Sequence, residues 1–135
     1  KYYVLLPGGI SIGSGIDHYQ WASVLHAASS LRAYHWTYKT DVSPRNIADF
    51  LILNPFTPRS MHHCYRMLGE RLNGLGRLYG QRHACHEEVN ESVTMLSELK
   101  IDEIFSTGLH EFLDEFIERT ARLHGSIASA YHFAE

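Results

Sequence analysis

The chain has 135 residues, enough for one ordinary domain and short for two. Hydrophobic residues make up 44% and charged residues 20%, a balance that excludes a disordered chain. No apolar run approaches the roughly 20 residues needed to span a bilayer, so no membrane association is expected. Cys64 and Cys85 are too few for a disulfide framework. The net charge of −3 hides an asymmetry. Residues 18–82 carry eight Arg or Lys against three acids, and residues 86–118 carry ten acids against Lys100 alone. A basic half can serve nucleic-acid or phosphate binding. Neighbouring helices whose charges compensate are the simpler reading, and no nucleic acid is expected.

In chain order, residues 1–16 join a short apolar piece to a glycine-rich stretch with Gly8, Gly9, Gly13 and Gly15. Neither GxxxxGK[ST] nor GxGxxG occurs, so this segment is expected to be a connector, with Tyr2–Leu6 the one candidate strand. From residue 17 to 135 the apolar period is helical. Asp17 and Gln20 form a candidate capping box opening a helix of five or six turns, its face marked by Trp21, Val24, Leu25, Ala28, Leu31 and Tyr38. Ser43-Pro44 starts a second helix that Asn54-Pro55 stops. Thr57-Pro58 repeats the start signal for a third, lined by Met61, Cys64, Tyr65, Leu68, Leu72, Leu75 and Leu78 and ended by Gly80. A fourth spans roughly 83–99, Asp102 caps a single turn, and a fifth runs from about Leu109 to Tyr131. The expected fold is all-α, an antiparallel bundle of about five helices with short loops.

Candidate chemistry is sparse. Arg59 and Ser60, beside Pro58 at a helix start, suit an anion or a capping ion pair, because free N–H groups and the positive helix end converge there. Arg59 paired with an acid of a neighbouring helix is the plainer alternative. His83, His86 and Glu87 share one helix face at i, i+3 and i+4 and are minor candidates for zinc, with exposed polar residues the alternative. Cys64 beside His62 and His63 suggests a nucleophile and base, but sequence neighbours on a helix point about 100° apart, and Cys64 is expected to be a buried structural cysteine. Glu111, Asp114, Glu115 and Glu118 form an acidic face suited to acid–base work or a divalent ion, or simply to solvent near a helix start. No catalytic residue, metal or cofactor is assigned. On the first helix Tyr34, Trp36 and Tyr38 cannot all point inward, so exposed apolar surface and association with a partner or a second copy are expected.

The stretches HYQWASVLHAASSLRAYHW, VSPRNIADFLILNPFTPRSMHHCY and IDEIFSTGLHEFLDEFI, with YHF near the end and KYYVLLP at the start, together resemble the C-terminal part of the bacterial alpha-E domain family. That family is helical and of unknown function. The resemblance implies further helices upstream, with glutamate–arginine motifs that ERTAR at residues 118–122 faintly echoes. It also implies a genomic neighbourhood of ATP-grasp and transglutaminase-like proteins. The expected function is therefore a non-catalytic helical module, cytoplasmic, supporting a system that makes or modifies peptides. Its expected partner is an ATP-grasp-type ligase or the N-terminal half of the domain. The alternative is a catalytic component whose site that N-terminal half completes.

Overall fold

The computed structural model describes residues 15–39 and 42–132. The expected connector and candidate strand lie outside the described residues, except that Gly15 and Ile16 already belong to the first helix. The described chain forms seven helices and no strand: α1 (Gly15–Ala27), α2 (Leu31–Tyr38), α3 (Pro44–Ile52), α4 (Met61–Tyr79), α5 (Ala84–Glu98), α6 (Ile101–Thr107) and α7 (Leu109–Tyr131).

The count exceeds five for two local reasons. The long first helix is broken at Ser29, whose φ of 53° is left-handed. The N–H of Ser29 returns to the His26 carbonyl and that of Ser30 to the Leu25 carbonyl, a helix-ending pair of bonds normally built on glycine. Ser30 is buried and its carbonyl accepts the Tyr34 N–H, so the chain turns and restarts at once. The single turn after Lys100 is a full helix, and Asp102 sits inside its first turn instead of capping it. Likewise α1 begins at Gly15, ahead of the expected cap at Asp17.

α3 follows the expected signals. Ser43 is its N-cap, with Oγ accepting the Asn46 N–H at 3.2 Å, and Pro44 occupies N1. α4 starts three residues later than Thr57-Pro58 suggests. Residues 57–60 form a turn closed by the Ser60 N–H on the Thr57 carbonyl at 2.9 Å, and Ser60 is the N-cap.

α1, α2 and α3 pack around an aromatic centre. The Tyr34 and Tyr38 rings stack at 4.8 Å, and Phe50 meets both edge-on at 5.6 and 5.9 Å, with Trp21, Leu25 and Ile47 buried in the same core. α3 also touches α4 and α6 and so joins this group to the rest. The most extensive helix pair is α4 with α5, and α7 lies against α5. α4 buries His62, Tyr65, Gly69, Leu72 and Gly76, facing Cys85, Val89, Ser92 and Leu96 of α5. Tyr65 meets Phe116 of α7 edge-on at 5.6 Å. The Thr120 hydroxyl donates to the Phe116 carbonyl, so its oxygen accepts the Tyr65 hydroxyl proton at 2.6 Å.

The α4 glycines predict opposite outcomes for one substitution. A methyl at Gly76 would sit 2.9 Å from His86 Nε2 and 3.2 Å from the Gln81 carbonyl oxygen. At Gly74 it would meet nothing within 4 Å. Gly74→Ala should therefore stabilise the protein by about 0.5–1 kcal/mol through helix propensity. Gly76→Ala should destabilise it by about 1–2 kcal/mol, overpacking outweighing the same propensity gain. Urea denaturation of both variants checks the signs.

Candidate functional site

The start of α4 is tightly bonded to the loop before it. Ser60, fully buried, accepts the His63 N–H at 3.0 Å and donates to the Asn54 carbonyl. His62 Nδ1 lies 3.0 Å from the Leu53 carbonyl, and His63 Nδ1 lies 3.1 Å from the Pro55 carbonyl, which Arg66 also approaches at 3.3 Å. Asn54 Oδ1 in turn accepts the N–H groups of Phe56 and Thr57 at 2.9 and 3.0 Å. The Ser60 hydroxyl is thus engaged in capping, while the neighbouring Arg59 is exposed.

Cys64 is exposed, which corrects the expectation of a buried cysteine. The buried stripe of α4 runs through His62, Tyr65, Gly69, Leu72 and Gly76, about one residue out of phase with the apolar series expected to face the core. Cys85 is the buried cysteine, and burial raises its thiol pKa above the ordinary range, which keeps it protonated.

Among His83, His86 and Glu87, the structure buries His86 and leaves Glu87 exposed, so they are not alike as surface polar residues. The His83 N–H donates to His86 Nδ1 at 2.9 Å. That leaves the proton on Nε2, which donates to the Leu72 carbonyl at 2.9 Å. The Tyr131 hydroxyl lies 3.2 Å from the same nitrogen, and the Tyr131 ring packs edge-on against His83 at 5.4 Å. Both ring nitrogens of His86 are spent in holding α4, α5 and α7 together. Among the described residues no group of three or more His, Cys, Asp or Glu is placed to hold a metal ion.

Glu111, Asp114, Glu115 and Glu118 are all exposed on α7. His110 lies 3.2 Å from Asp114, and Glu115 lies 3.6 Å from Arg119, both pairs at i,i+4. Arg119 also reaches across to Ser92 of α5 at 3.3 Å.

Two surface hollows stand out among the described residues. The larger, about 760 Å³, runs along the outer face of α5 to α6 and is lined by Glu87, Asn90, Glu91, Thr94, Met95, Glu98, Leu99 and Glu103. The smaller, about 390 Å³, lies where α3, the start of α4, the end of α5 and the start of α6 meet. It holds Arg45, Asp49, His62, Lys100 and Asp102. Arg45 grips Asp102 through Nε and Nη2 at 2.8 and 3.0 Å, and this pair joins the basic to the acidic half of the chain. Tyr38 donates to Asp49 at 2.7 Å. Burial and then the Asp49 bond hold the Tyr38 hydroxyl well above its ordinary pKa, so it remains a donor. Sequence reading missed this hollow, because no spacing rule brings residues 45–49, 62 and 97–102 together.

Among the described residues, helices alone, with short connections and one core to which α1 through α7 all contribute, define an all-α domain. Residues 1–132 match the Alpha-E family, described as a predicted alpha-helical domain with a conserved ER motif, and the chain belongs to that family. No curated protein and no solved structure matches it. Glu-Arg occurs twice, at Glu70-Arg71 and Glu118-Arg119. Arg71 is exposed, whereas Arg119 bridges α7 to α5 and lies 5.7 Å from the centre of the Phe116 ring. Among the described residues no helix is long and apolar enough to cross a membrane.

The Arg45–Asp102 pair gives a pH prediction. Its hydrogen bond with Arg45 holds the Asp102 carboxyl below the ordinary range. The pair's contribution is therefore present above roughly pH 4 and is lost as acid protonates Asp102 through its lowered pKa. In Arg45→Gln the Asp102 carboxyl should titrate higher, close to about 3.9, as read by side-chain carbon NMR.

Proposed function

We propose that the chain is a non-catalytic helical docking module whose outer α5–α6 face receives a lysine- or arginine-bearing segment of a protein partner. The observation that carries this reading is the trough of about 760 Å³, where Glu87, Glu91, Glu98 and Glu103 surround Met95 and Leu99. Four carboxylates beside apolar side chains complement a cationic amphipathic segment, which supplies both the charge and the methylene contact. The non-catalytic part of the reading draws on the candidate groups themselves. The exposed α7 carboxylates include simple i,i+4 partners, and His86 spends both nitrogens on bonds within the fold.

The family resemblance points to the partner's class, an ATP-grasp-type ligase within a cytoplasmic system that makes or modifies peptides. A second copy of the chain is the competing occupant. Arg71, Arg77 and Arg82 are exposed on and just after α4, and Leu78 and Tyr79 beside them are 75% and 65% exposed.

The test is titration calorimetry between this protein and an ATP-grasp-type ligase. Combining Glu91→Lys with Glu98→Lys should weaken binding at least about tenfold, since like charges then meet across the interface. Raising salt from about 0.1 M to about 0.5 M should weaken the native complex in the same direction. Unchanged affinity in the double variant, or a trough occupied by a second copy in solution, overturns the proposal.

A further inference from the structure

The smaller hollow has the composition of a site for a compact zwitterion, and it adjoins the acidic trough at Leu99 while drawing its charged groups from other residues. His62 is 7% exposed, and its Nδ1 carries the proton because the neighbouring Leu53 oxygen can only accept. The ring's other nitrogen, Nε2, is then a bare acceptor with no partner among the described residues, on a side chain that lines the hollow. Asp49 accepts one proton from Tyr38 and has no cation at ion-pair distance among the described residues. Opposite in charge stand Lys100, which has no carboxylate at that distance among the described residues, and Arg45, whose Nη1 has no partner among them after Nε and Nη2 have engaged Asp102. The cavity of about 390 Å³ falls within the roughly 300–1,000 Å³ of small-molecule sites.

We infer that this hollow binds a free α-amino acid or the two ends of a short peptide, its ammonium received by Asp49 and His62 Nε2 and its carboxylate by Lys100 and Arg45. A ligand with one charge alone leaves either the carboxylate or the cations of the site unanswered. A ligand with both charges answers each, and His62 Nε2 adds an acceptor for the ammonium.

The test is a nitrogen–proton NMR titration of the full chain with L-alanine, L-alanyl-L-alanine, N-acetyl-L-alanine and L-alaninamide. L-alanine or the dipeptide should give saturable shifts at the amides of 49, 53, 62 and 97–102 and move the His62 Nε2 resonance. Which of the two binds more tightly separates a free amino acid from a peptide. Each singly capped compound should bind at least about tenfold more weakly, having lost one set of charge-assisted bonds. Asp49→Asn retains an oxygen for the Tyr38 proton, so the local fold stands while affinity falls about tenfold. Lys100→Gln, on an exposed side chain, should do the same. Equal binding of all four compounds, shifts centred elsewhere, or no saturation by about 50 mM overturns the inference.

Discussion

Three successive carbonyls, of Leu53, Asn54 and Pro55, are each held by a side chain of the first turns of α4. Loop carbonyls beside a packed helix must be satisfied or left in contact with water, and this connector satisfies them with His62, Ser60 and His63. The direction of α4 away from α3 depends on that arrangement. α4 then carries α5 along its length, and α5 carries α7. The two hollows border the same framework, one on the outer face of α5 and the other at the corner where the pinned connector meets α6.

The histidines show how this protein places polar groups inside. Ten occur in 135 residues, a number that invites a search for metal or acid–base chemistry. His62 and His86, both buried, instead use a ring N–H to close a backbone carbonyl on a neighbouring segment. A neutral imidazole suits that task because it has one donor, one acceptor and an apolar rim. The difference lies in the second nitrogen. His86 receives the His83 N–H there and is complete, while His62 has no partner there among the described residues.

Helix ends written in strong chemistry were legible: Ser43-Pro44 before α3, Gly80 after α4, and the wide apolar stripe that marks α7. The break between α1 and α2 was hidden because serine stands where a left-handed residue normally signals itself as glycine. The buried face of α4 was misplaced because histidine and two glycines occupy core positions that apolar counting ignores, while Leu78 of the apolar series is 75% exposed. The aromatic conflict on α2 was readable from helical geometry alone: Tyr34 is buried, Tyr38 reaches Asp49, and Trp36 stands 77% exposed. A corner assembled from three distant stretches of chain leaves no such local trace, since its residues meet only after the helices have packed.

The pinned connector also bears on the order of assembly. Its side chain–carbonyl bonds span only six to nine residues of chain, whereas the Tyr65–Thr120 bond spans 55 and the Tyr131–His86 contact 45. Closing a short loop costs less chain entropy than closing a long one, and contacts of low sequence separation form early. The segment from α3 through the first turns of α4 is therefore a nucleus able to form before α7 arrives. Its capping serine and paired histidines should therefore act on the folding rate as well as on the finished structure.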